Sequence, residues 1–70
     1  MTANVDTIYG TKVTEHSKYK GCTIYKGEDG RWFAMYSDGT GWTRIEENGS
    51  LADLKIGINY LVKMGRVVKQ

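Results

Sequence analysis

The chain has one cysteine, one histidine and no proline among its 70 residues. A lone cysteine, Cys22, excludes an internal disulfide, and with only His16 to join it there is no two-plus-two zinc set. No metal and no cofactor are expected. Without a proline-rich linker, an internal repeat or a low-complexity tract, residues 1–70 read as a single small domain. No apolar run approaches the ~20 residues that a membrane-spanning helix needs. The opening Met1-Thr2-Ala3-Asn4-Val5-Asp6 lacks the charged and apolar regions of a signal peptide. These absences point to a cytoplasmic protein in reducing surroundings, with no membrane partner. Residues 1–6, polar and without an evident partner, read as a frayed end.

A large charge of either sign is also missing. The net charge is +2, too small to announce nucleic-acid binding. Its distribution is less even: Lys55, Lys63, Arg66 and Lys69 occur with no acid from Lys55 onward, while Glu46, Glu47 and Asp53 cluster just before. Cations at a helix C-terminus complement its dipole, which accounts for the pattern. A phosphate-facing patch is the alternative.

What the sequence does have is turn chemistry around aromatic residues. Glu28-Asp29-Gly30 and Ser37-Asp38-Gly39 bracket Arg31-Trp32-Phe33-Ala34-Met35-Tyr36. Asp-Gly between apolar runs is a strong hairpin signal because glycine takes the positive φ of a tight turn. A three-stranded antiparallel meander follows. The preceding segment, Thr7 to His16, has strand-like composition but poor alternation, so a fourth N-terminal strand stays open. A three-residue first loop with Gly30 as a bulge pairs Ile24 with Ala34 and Cys22 with Tyr36. A two-residue second loop pairs Ala34 with Thr43 and Trp32 with Ile45. One face then carries Cys22, Ile24, Trp32, Ala34, Tyr36, Thr43 and Ile45, and the other Thr23, Tyr25, Phe33, Met35, Trp42 and Arg44.

The clearest element is a helix over residues 50–64. Ser50 is a good N-cap, Asp53 stands where a capping box places an acid, and Gly65 is a natural C-terminal stop. Leu51, Leu54, Ile58, Leu61 and Val62 recur at helical spacing as one apolar stripe. Gly57, costly inside a helix, suggests close packing on the sheet or simple tolerance. The tail after Gly65 either adds a short edge strand or hangs free. The fold class is α+β, with the meander packed on one face by a single C-terminal helix.

Catalytic chemistry has few candidates. His16 lacks a nucleophile or carboxylate partner, Cys22 fits a small buried core residue, and Glu46-Glu47 belong to a solvated turn before the helix. Gly39-Thr40-Gly41 lacks the lysine and hydroxyl of a phosphate loop. No enzymatic activity and no small-molecule substrate are expected, since an open sheet with one helix rarely encloses a pocket.

The remaining constellation is the uncovered face: Tyr25, Phe33, Met35, Trp42 and Arg44. Such residues dominate protein interfaces and also stack on unpaired bases. The expected function is a small protein-interaction module that binds a partner, or its own copies, through this open aromatic face. The alternative is a nucleic-acid-binding accessory domain using Arg31, Arg44, Lys63, Arg66 and Lys69. A third outcome is that the strand register differs, or that the N-terminal segment folds over this face and makes a second small core.

Tyr19-Lys20-Gly21-Cys22-Thr23-Ile24-Tyr25, then Asp29-Gly30-Arg31-Trp32-Phe33-Ala34 and Ser50-Leu51-Ala52-Asp53-Leu54-Lys55, resemble a hairpin and helix found in small bacterial and phage proteins. The resemblance covers Tyr19 to about Leu61, with Cys22 in place of the usual aromatic. It implies a β-β-β-α fold and a phage or mobile-element setting, and no activity.

Overall fold

The computed structural model describes residues 6–68, so the reading of a frayed N-terminus falls largely outside the described residues. Five antiparallel strands in chain order precede one helix: β1 (Thr7–Ile8), β2 (Thr11–Tyr19), β3 (Cys22–Gly27), β4 (Trp32–Ser37), β5 (Thr43–Asn48) and α1 (Leu51–Lys63). The α+β class and the C-terminal helix are as expected. Two N-terminal strands stand where the sequence left one open.

Both extra strands come from two-residue turns in which each residue has positive φ: Tyr9 at 51° and Gly10 at 79°, Lys20 at 50° and Gly21 at 87°. Such a turn follows the right-handed twist of the flanking strands, which tightens the hairpin. It pairs Ile8 with Thr11 and Tyr19 with Cys22. The poor alternation of this region has a second cause, a register shift between Glu15 and Ser17 that leaves His16 as an extra residue.

The β3–β4 hairpin follows its turn chemistry. Ile24 pairs with Ala34, the Gly27 N–H donates to the Arg31 carbonyl at 2.7 Å, and Gly30 has φ of 91°. The β4–β5 hairpin does not follow the two-residue turn. Ser37 pairs with Thr43, Ala34 with Glu46 and Trp32 with Asn48. Asp38 holds the longer loop in place: its Oδ1 accepts the Thr40 N–H at 2.9 Å and its Oδ2 accepts Arg44 Nε at 2.7 Å. An odd shift of register exchanges the faces of a strand. Ile45 therefore moves to the Phe33 side, and Arg44 and Glu46 move to the helix side.

The first core lies between the sheet and α1, with Cys22, Ile24, Ala34 and Tyr36 buried against Leu54 and Ile58. Trp32 packs partly buried at its margin. The second lies on the opposite sheet face, where Ile8, Tyr25 and Phe33 are buried, with Val13, Met35 and Ile45 around them. β1 pairs with β2, yet its Ile8 reaches residues of β4, so the sheet curls over itself. Arg31 seals this core from above. Its guanidinium lies 5.2 Å over the Phe33 ring and donates to Asp29 and Glu47, each at 2.6 Å, and to the Thr11 hydroxyl.

The helix ends are well capped. Ser50 Oγ accepts the Asp53 N–H at 3.1 Å, but the Ser50 N–H donates to Asn48 Oδ1 at 3.3 Å. Asn48 thus supplies the half of the capping box expected from Asp53. At the other end Met64 is the C-cap, and Gly65 follows at φ of 72°. The Arg66 N–H donates to the Leu61 carbonyl and the Gly65 N–H to that of Val62, which forms a Schellman motif. Beyond it, Val67 packs on the first core and the Val68 N–H donates to the Ser37 carbonyl at 3.0 Å. Among the described residues no helix is long and apolar enough to cross a membrane.

Candidate interaction surface

α1 is apolar on two opposite sides. An α-helix advances about 100° per residue, so residues four apart drift by only about 40° and form one stripe. Leu54 and Ile58 point at the sheet and are buried. Ile56, Tyr60 and Met64 form a second stripe on the far side, exposed by 65%, 62% and 52%. A surface helix on a sheet should present charged and polar residues to solvent. Here the outward face carries mainly Ala52, Ile56, Tyr60 and Met64, with Asp53 and Lys63 as its charges, all of them exposed. Gly57 lies beside this stripe, with nothing within 4 Å of where a Cβ would stand. It is therefore tolerated on the exposed side rather than packed on the sheet.

Of the residues expected to form an open aromatic face, Tyr25, Phe33 and Met35 are brought together but covered, while Trp42 and Arg44 lie elsewhere. Phe33 has no exposure and Tyr25 only 6%, both beneath β1 in the second core, and Met35 packs beside them. Trp42 is 71% exposed but sits in the loop between β4 and β5, off the sheet. Arg44 falls on the helix side through the register shift and is paired with Asp38. The third outcome is the one realised: the N-terminal segment covers this face, and the β4–β5 register differs as well.

The basic set of the nucleic-acid alternative is likewise divided. Arg31 is paired with Asp29 and Glu47 over the second core. Lys63 and Arg66 are exposed around the C-terminal turn of α1, and Lys69 lies outside the described residues. The hydrogen bonds at Asp29 and Asp38 hold both carboxyls below the usual carboxylate range. For Asp29 the Arg31 N–H is the main cause, and for Asp38 the Thr40 hydroxyl. A lowered pKa in the folded state stabilises it above the ordinary carboxylate pKa, so these bonds are lost only as pH falls into stronger acid.

Two aromatic rings near the sheet margin already carry partners. Lys20 and Lys55 lie over Tyr19, whose hydroxyl donates to Asn59 Oδ1 at 3.0 Å. His16 meets Trp32 edge-on at 5.0 Å, with Lys26 over the same ring at 5.4 Å. Glu46 and Glu47 lie within β5 rather than in a turn, and their side chains go to opposite faces: Glu47 accepts from Arg31, and Glu46 accepts from the Tyr36 hydroxyl at 3.4 Å. Among the described residues no group of three or more His, Cys, Asp or Glu side chains could hold a metal ion.

Cys22 is buried in the first core, which pushes its thiol pKa up, and the nearby Glu46 carboxylate adds to the effect. Since the thiolate is the reactive form, a thiol reagent near neutral pH should leave the folded protein unlabelled over a time that fully labels a urea-unfolded sample. Equal labelling rates in the two states would place the thiol at the surface.

Ile56, Tyr60 and Met64 were legible as a pattern, at i, i+4 and i+8. The inward stripe alone already accounts for the helix, so it draws attention away from them. Compared with protein-family models, curated proteins and solved structures, the chain matches none of them.

Proposed function

We propose that the chain is a small, non-enzymatic protein-interaction module that docks through the outward stripe of α1. The observation that carries this reading is a helix apolar on both sides, with only one side covered by its own sheet. Burying an exposed aliphatic or aromatic side chain gains about 1.5–3 kcal/mol, and aromatic anchors flanked by apolar neighbours are the usual centres of binding energy. Tyr60 between Ile56 and Met64 has that arrangement.

The nucleic-acid reading has less support. Arg31 and Arg44 would have to give up carboxylate partners to reach a phosphate, whereas phosphate binding draws on a set of free cations.

Exchanging Ile56 and Tyr60 together for glutamine removes the apolar surface while keeping good helix formers. The fold should persist, since neither side chain is buried. Affinity for the bound protein, measured by titration after capture on the wild-type chain, should fall by about 30-fold or more, the loss of at least one interface anchor. Unchanged affinity in the double variant would remove the helix as the docking surface.

A further inference from the structure

We infer that the occupant of the α1 stripe is a second copy of the chain, packed with the two helices antiparallel. This rests on the interaction-module reading and adds the identity of the partner.

The outward face of α1 is self-complementary. A two-fold interface brings the same patch of both copies together, so that residue i meets j′ and j meets i′. If two α1 helices lie antiparallel with the axis level with Ile58, outward residues equally far before and after Ile58 face each other. Ile56 then meets Tyr60 of the other copy, an aliphatic chain against an aromatic ring. Ala52 and Met64 of the other copy stand at the same level on the two flanks of the seam. Asp53 meets Lys63, an acid against a base, and does so twice by symmetry.

Every outward charge on this face is thereby matched. Asp53 and Lys63 stand ten residues apart, about 15 Å along the helix, one near each end of the apolar stripe. A parallel pairing of the same faces would set Asp53 against Asp53 and Lys63 against Lys63, which like-charge repulsion opposes. Gly57 adds room beside the seam, because no atom lies within 4 Å of its missing Cβ. One helix on one helix is a small interface, so the dimer belongs to the weak, exchanging class.

Sedimentation tests this directly. The wild-type chain should pass from monomer to dimer as its concentration rises from ~10 μM towards ~1 mM, the range of weak association. Asp53→Lys and Lys63→Glu each place like charges at both ends of the seam, and each alone should weaken self-association by tenfold or more. Mixed in equal amounts, the two variants should associate as the wild type does, since the introduced lysine then meets the introduced glutamate while the original acid and base pair again.

Both positions are exposed and both replacements are good helix formers. Circular dichroism melts of dilute samples check that each monomer is folded, and the wild-type concentration series needs no variant. A wild-type chain that stays monomeric throughout, or a mixture no better than its components, would overturn the self-pairing. If a different captured protein still depends on Ile56 and Tyr60 in that case, the interaction-module reading stands without it. A dimer indifferent to the charge variants and to the Ile56→Gln, Tyr60→Gln pair would overturn the self-pairing as well.

Discussion

Phe33→Ala is expected to bring the domain close to unfolding. Phe33 is wholly buried in the second core, with the Tyr9 ring edge-on at 6.2 Å and the Arg31 guanidinium above it. Emptying a site of this kind costs roughly 3–5 kcal/mol, through the lost transfer of the ring from water and the cavity left behind. At 0.05–0.15 kcal/mol per residue, a chain of this length has a total stability of only about 4–10 kcal/mol. Trp42→Ala is the internal comparison. That side chain is mostly exposed, so its loss should stay within about 0.5 kcal/mol. Urea titration of both variants reads the difference, and equal midpoints would show that the second core does not hold this face closed.

Ile8→Ala is expected to cost about 2–4 kcal/mol, within the range for a buried isoleucine. Its effect should be local before it is global. β1 has two residues, of which only Ile8 is buried, and its neighbours hold the strand by few bonds, among them the Val13 N–H to the Asp6 carbonyl at 2.9 Å. With the side chain shortened, β1 should detach at urea concentrations too low to unfold the remaining sheet, uncovering Tyr25 and Phe33. Faster exchange of the Val13 amide and binding of an apolar dye in that range would report it. A single transition for all probes, unchanged from the wild type, would mean that β1 is not the lid of the second core.

These two residues also mark the limit of what the sequence made legible. Features fixed by neighbouring residues were readable: the Ser50 cap, the apolar period of α1, and the three-residue loop ending at Gly30 that sets Ile24 opposite Ala34. From those the first core followed. The turns at Tyr9-Gly10 and Lys20-Gly21 were missed because their first residue is not the asparagine or aspartate that usually accepts positive φ there. Asp38-Gly39 misled in the opposite way. It has the composition of a two-residue turn, but Thr40 and Arg44 bind the Asp38 carboxylate and extend the loop. The residual error was then tertiary. Neither the alternation of β2, broken at His16, nor any local signal says that β1 will cross over Phe33. An aromatic face that would have been open on three strands is closed on five, and the surplus apolar surface is found on the helix instead.

The curl has a consequence at the margins of the sheet. With the order β1-β2-β3-β4-β5, the free borders among the described residues are β1, β5 and the stretch of β2 beyond Thr11 and Lys12, which β1 does not reach. β1 offers two residues, the open part of β2 carries Glu15 and Lys18 and is broken by the register shift at His16, and β5 carries Arg44, Glu46 and Glu47 along its six. Short or charged borders are poor templates for a further strand. The sheet borders of this protein therefore invite little edge-to-edge growth of the kind that leads to fibres.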